Sequence, residues 1–198
     1  MPTLTATTKP ISVAATESLA KLLESKLTRT GVDLAALSLL SPVLLVFLRH
    51  AGCTFCREAL SDLAESREAI EKSGARIVVV YLGDEAAMEK TLVHYKLSDL
   101  DRIHDTDQSL YEAFGLKQGS LWQVAGPKVW WRGMYAGLFK GHGAGRPSGD
   151  VRQMPGMFLL DRCEVVRSFR HASASDRPLY EAFVRAGLSR AAKNGRSL

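Results

Sequence analysis

Pro42-Val-Leu-Leu-Val-Phe-Leu48 runs without a polar side chain directly into Arg49-His-Ala-Gly-Cys-Thr-Phe-Cys56, and this junction decides the fold. The apolar run is short and partly β-branched, the pattern of a central strand buried on both faces. A helical pattern follows from Arg57 to Lys72 and stops at Ser73-Gly74. Ala75 to Leu82, built on Ile77-Val-Val-Val-Tyr81, is a second buried strand, and Asp84 caps a second helix that ends at Tyr95. Strand, helix, strand, helix predicts a parallel pair joined by a crossover, hence an α/β fold with a central sheet flanked by helices.

Upstream, Ser12 to Leu27 carries Val13, Leu19, Leu22, Leu23 and Leu27 near helical spacing. That predicts an amphipathic helix packed on the main domain. Residues 1 to 9 read as frayed, and 1–40 as an N-terminal extension holding one or more helices. Downstream, Arg102-Ile-His-Asp105 is a short strand, and Asp107 caps a helix from Gln108 to Phe114 that closes at Gly115. Gly156 to Asp161 and Glu164 to Phe169 flank Arg162-Cys163 as a β-hairpin. Asp176 to Val184 is a final helix with Pro178 in its first turn, and 189–198 is a polar, basic tail. The main domain is thus expected over 41–188, with an insertion over 117–155.

Composition narrows the function. The 198 residues are 46% hydrophobic with a formal charge of +5, which excludes disorder, collagen and coiled-coil arrays. Three cysteines do not make a secreted disulfide framework, Met1 to Ser18 lacks the apolar core of a secretory signal, and no run reaches membrane-spanning length. The expected setting is cytoplasmic and reducing, without membrane partners. Between residues 117 and 153, Lys117, Lys128, Arg132, Lys140, Arg146 and Arg152 face Asp150 alone, and all three tryptophans fall there. Basic residues among aromatics can bind nucleic acid, but no recognised motif accompanies them, which argues against it. An active-site flap or a subunit contact, as in a homodimer, is the plainer reading. Gly141, Gly143 and Gly145 do not match a dinucleotide fingerprint, because no strand precedes them, and read as loop.

Chemistry concentrates at the strand-to-helix junction. The first Cys of a Cys-x-x-Cys placed there sits at or near a helix N-cap, where unpaired N–H groups and the helix dipole favour thiolate. The second lies about one turn on along the same face, close enough to form a disulfide. Cys53 and Cys56 are therefore the expected catalytic pair. Zinc would want a second pair of ligands at matching spacing, and only Cys163 and scattered histidines remain, so neither metal nor cofactor is expected. Arg49 and His50 are expected to line the site, where a cation favours thiolate, and Arg57 less so. Cys163, at the hairpin turn, reads as a spare thiol.

These features, from about Leu40 to Val184, resemble the peroxiredoxin-like branch of the thioredoxin superfamily, the AhpC/TSA-like proteins related to selenoprotein L and prostamide/prostaglandin F synthase. The resemblance rests on Phe47-Leu-Arg-His-Ala-Gly-Cys-Thr-Phe-Cys-Arg-Glu58, on Asp107 with Leu110-Tyr-Glu-Ala-Phe-Gly-Leu116, on Gly149-Asp-Val-Arg-Gln-Met-Pro-Gly-Met-Phe158, and on His171 with Ser173 and Asp176. It implies a thioredoxin-like fold whose Cys53 and Cys56 cycle between dithiol and disulfide. The substrate would be a peroxide or a disulfide, and the electrons would come from a thiol donor such as thioredoxin or glutathione. It also implies that Pro155, ahead of the strand Gly156 to Asp161, faces the cysteines and shapes the substrate groove, with its isomer open. In the peroxiredoxin register Arg49 replaces the motif's Pro, Cys53 its Thr, and Cys56 takes the peroxidatic position. In the thioredoxin register Cys53 attacks and Cys56 resolves. Two other functions fit the same residues: a reductase of an organic endoperoxide with the aromatic insertion as lid, and a non-enzymatic scaffold that docks partners through the basic insertion.

Overall fold

Residues Val43–Phe47 form β1, buried along its whole length. Its neighbours are β2 (Arg76–Tyr81), parallel, with Phe47 opposite Val80, and β4 (Gly156–Asp161), antiparallel, with Phe47 opposite Gly156. A short parallel strand β3 (Asp101–His104) and an antiparallel β5 (Glu164–Arg170) complete a five-stranded sheet in the order β3-β2-β1-β4-β5. The computed structural model describes residues 13–119, 152–173 and 176–193. The Gly-rich loop and the tryptophans predicted within the insertion, the frayed first residues and the end of the tail lie outside these.

Alternation along β1 sorts the helices. Leu44 and Val46 point into a cluster with α3 (Thr54–Lys72), α4 (Glu85–His94) and α6 (Tyr180–Lys193). Val43, Leu45 and Phe47 point the other way, toward α2 (Leu34–Leu40), α5 (Ser109–Ala113) and Leu23 of α1 (Val13–Ser25). Helices on both faces of a mixed sheet give the α/β, thioredoxin-like architecture expected from the strand-helix order.

Several boundaries differ from the sequence expectation for physical reasons. α3 starts at Thr54 rather than Arg57, with Cys53 itself as N-cap. α2 is a separate short helix capped by Asp33, whose side chain accepts from the Ala36 N–H at 2.7 Å. α6 begins at Tyr180, so Pro178 precedes the helix instead of occupying its first turn. The Asp176 carboxylate accepts from the Ala172 and Ser173 N–H groups and therefore closes the preceding turn, not the helix. At its other end α6 runs to Lys193 because Leu188 and Ala191 are buried and Gly187 lies against Leu159, where a Cβ would come within 2.5 Å of Cδ2.

The β4–β5 turn places Arg162 and Cys163 at φ 49° and 62°, the left-handed pair of a two-residue hairpin. It docks on α2: the Arg162 N–H donates to the Ser38 carbonyl at 2.8 Å, and the Cys163 N–H to Ser38 Oγ at 2.9 Å. On the same side of the sheet, Lys26 Nζ bridges Asp105 at 2.7 Å and Asp107 at 2.6 Å, fastening the segment after α1 to the loop that opens α5.

Candidate active site

The site grows from the end of β1. Past the strand, Leu48 N–H donates to Val80 O at 2.8 Å and Leu82 N–H to Arg49 O at 3.2 Å, so the ladder with β2 continues to Arg49. The buried Tyr111 hydroxyl donates to the Leu48 carbonyl and meets Val80 O at 3.2 Å, holding this end from below. The chain then turns, with Cys53 N–H donating to His50 O at 3.1 Å and Arg57 N–H to Cys53 O at 3.0 Å as α3 begins. Arg57 Nε donates to Ala51 O at 2.9 Å, which pins the loop.

Both thiols are buried, Cys53 at 5% exposure and Cys56 at 3%, and no disulfide joins them. Arg49 Nη2 donates to Cys53 Sγ at 2.9 Å, and the Arg49 backbone N–H donates to Cys56 Sγ at 3.3 Å. The Cys56 thiol hydrogen-bonds to Cys53 and, with the Arg49 charge, holds the Cys53 thiol well below the usual range despite burial. The same bond pushes Cys56 well above that range, and burial and the charge on Cys53 push it further. Cys53 is thus the more acidic thiol of the pair.

A small cleft opens beside the pair, with a cavity volume of ≈ 20 Å³, room for about one water-sized group. Arg49, Cys53, Cys56 and Pro155 all line it. The Met154–Pro155 bond is trans, since no peptide among the described residues is cis. His50 is not on the cleft wall: it is buried at 3% exposure, burial lowers its pKa, and its Nδ1 has no partner among the described residues. The wall also holds three polar or aromatic residues that sequence reasoning had not placed there, His171, Asp176 and Tyr180. All three follow β5, and the β4–β5 register carries His171 to Pro155, whose carbonyl accepts from the His171 N–H at 3.2 Å. Behind Tyr180, Arg177 pairs with the buried Asp62 of α3 through two guanidinium nitrogens and lies 3.8 Å from Glu58. Burial, Asp62 and Cys56 together raise the Tyr180 pKa.

Cys163 sits at the far end of β4, six residues from the cleft, roughly 20 Å at about 3.3 Å per residue. Among the described residues no group of three or more His, Cys, Asp or Glu side chains is placed to hold a metal ion, and no helix is long and apolar enough to cross a membrane.

Residues 62–173 match the family model described as AhpC/TSA antioxidant enzyme. The chain belongs to that family. The matched stretch begins at Asp62, so it contains Pro155 and His171 of this AhpC/TSA protein but not Cys53 and Cys56. No curated protein matches the chain. Solved structures share the fold at low identity. The bacterioferritin comigratory protein of Xanthomonas campestris is 14% identical, covers 85% of this chain and 90% of its own, and superposes with a TM-score of 0.54. Peroxidoxin BcpB from Mycobacterium tuberculosis is 18% identical over 85% of this chain and 90% of its own, with a TM-score of 0.52. A secreted Mycobacterium tuberculosis disulfide oxidoreductase homologous to E. coli DsbE is 16% identical over 81% and 93%, with a TM-score of 0.51. The AhpC/TSA protein is thus a thiol-dependent oxidoreductase of peroxiredoxin-like type, with a thioredoxin-like fold.

Proposed function

We propose that Cys53 is the attacking thiol and Cys56 the resolving one, in a cycle that reduces a peroxide or a disulfide with electrons from an external thiol. The observation that carries this is the 2.9 Å contact from Arg49 Nη2 to the Sγ of Cys53, the residue at the helix N-cap. With a hydroperoxide, the Cys53 thiolate attacks the outer oxygen, the S–O bond forms as the O–O bond breaks, and the alkoxide takes a proton from solvent to leave as alcohol. Cys56 then attacks the Cys53 sulfenic acid, the S–S bond forms, and water departs with the Cys56 proton. With a disulfide substrate, Cys53 displaces one sulfur as thiol and Cys56 displaces the other. An external dithiol, of the thioredoxin or glutathione type, returns the pair to its reduced state and is itself oxidised. A thiol-rich compartment such as the cytoplasm suits that cycle.

Thiol titration of the purified protein before and after one equivalent of hydrogen peroxide, with peptide mapping, tests this. A Cys53–Cys56 bridge, with first modification at Cys53, is expected. Two thiols that stay reduced under both peroxide and oxidised glutathione refute it.

A further inference from the structure

His171 is the feature that the dithiol cycle leaves unused. It follows β5 directly, its ring stands edge-on to Phe169 with centroids 5.2 Å apart, and it lines the cleft together with Arg49, Cys53, Cys56, Asp176 and Tyr180. Its Nδ1 is buried and has no hydrogen-bond partner among the described residues. The nearest carboxylate on the cleft wall, Asp176, is already occupied by the Ala172 and Ser173 N–H groups. A buried polar nitrogen without a partner is costly, and native structures keep one mainly where something else completes it. The ring that carries it lines a space of ≈ 20 Å³ beside two thiols.

We propose that His171 selects and orients the peroxide: its Nδ1 hydrogen-bonds the O–OH group entering the cleft and holds the outer oxygen toward Cys53. This rests on the reading of Cys53 as the attacking thiol. Burial lowers the pKa of His171 to about 4, against the pull of Asp176 and the Ser173 backbone, so the ring is neutral at physiological pH. A neutral imidazole offers either a donor or an acceptor at Nδ1. A hydroperoxide complements both, because its hydroxyl donates and its two oxygens accept. A disulfide donates nothing and accepts weakly, so it gains little from the same nitrogen. The cleft's small volume acts in the same direction, admitting a single peroxide oxygen more readily than a bulky sulfur. The bonds broken and formed are those of the cycle above, and His171 exchanges no proton in the step.

The test compares wild type with His171→Phe and His171→Asn in the full chain. Three rates are measured for Cys53: oxidation by hydrogen peroxide, exchange with a small aromatic disulfide, and alkylation by iodoacetamide across pH. Phe keeps a flat ring against Phe169 and removes the nitrogen. It should slow the peroxide reaction by about tenfold, the worth of one hydrogen bond, and leave the other two rates within about twofold. Asn, which restores a polar group, should recover part of the loss. An unchanged peroxide rate in His171→Phe overturns the proposal, as does an equal fall in all three rates, which marks a structural role. Wild-type protein in which Cys53 never reacts with peroxide overturns the underlying assignment as well, and that failure is visible without any variant.

Discussion

Arg49 touches Cys53 with its side chain and Cys56 with its backbone, at 2.9 Å and 3.3 Å. The 2.9 Å guanidinium contact goes to the sulfur at the helix N-cap and the backbone contact to the sulfur a turn inside. Asymmetry between two chemically identical thiols therefore comes from the hydrogen bond between them together with the charge of one residue four positions upstream of the first. Arg49→Met should move the pH midpoint of Cys53 alkylation toward alkaline values, because the thiolate loses a neighbouring cation and a donor. At pH 7 the rate should fall by about tenfold or more. Arg49→Lys keeps the charge without the fork and should fall between. An alkylation profile that does not move in Arg49→Met removes Arg49 from the site.

Serine replacements divide the cysteines by role. Cys53→Ser and Cys56→Ser should each abolish turnover, but they should stop the cycle at different points. Cys56→Ser should accumulate a sulfenic acid or mixed disulfide on Cys53, detectable by mass spectrometry, whereas Cys53→Ser should accumulate neither. Cys163→Ser should retain nearly full activity, since the thiol lies at the opposite end of β4. Loss of activity there would give Cys163 a part in the cycle.

Acid should destabilise the protein through its buried imidazoles. An unfolded histidine takes a proton near pH 6.5, whereas folded His171 does so only at about 4. Between these values the unfolded state binds more protons, so stability falls as pH falls through that window and is complete above it. The shift amounts to roughly 3 kcal/mol across the window, and His50, also lowered, acts in the same direction. Urea unfolding at pH 7 and pH 4.5 should show His171→Asn losing less stability on acidification than wild type.

Gly156 opens β4 against Phe47, and a Cβ there would meet Leu116 Cδ2 at 2.7 Å and the Phe169 carbonyl at 3.0 Å. The second contact is backbone of the adjacent strand and cannot swing away. Gly156→Ala should therefore cost about 1–3 kcal/mol and lower Tm, with activity reduced because Pro155 precedes the shifted strand. An unchanged Tm would mean that the β4–β5 ladder gives way more easily than this packing implies.

How much of this could be read beforehand depended on range. β1, β2, the hairpin and the Cys53 junction were legible, because each is signalled by residues adjacent in sequence. Arg49 was legible for the same reason. The helix α2 was not, since Leu34-Ala-Ala-Leu-Ser-Leu-Leu40 is too short for periodicity to show, and Ser38's bonds to a turn more than a hundred residues away help hold it. Nor was the continuation of α6 past Gly187, a residue that only close packing on Leu159 explains. His171 reaches the cleft through the pairing register of β4 with β5, where a one-residue slip would turn its side chain elsewhere, and Tyr180 reaches it from the start of α6. Their signal was the position of His171 immediately after a strand that returns to the cysteine end of the sheet.

Residues 117–119 and 152–154 stand side by side as a narrow gate. Gln118 pairs with Gln153 across an antiparallel bridge, Gly119 N–H donates to Arg152 O at 2.7 Å, and Met154 N–H donates to Lys117 O at 3.2 Å. Whatever lies between is thus attached at two abutting points, and the entropy of closing such a loop changes only slowly with its length. As far as the sheet is concerned the segment is a cassette, whose length bears only weakly on the cost of closing it. One of its ends stands directly before Pro155 on the cleft wall, so a change of cassette could retune what approaches the thiols while the redox machinery itself stays fixed.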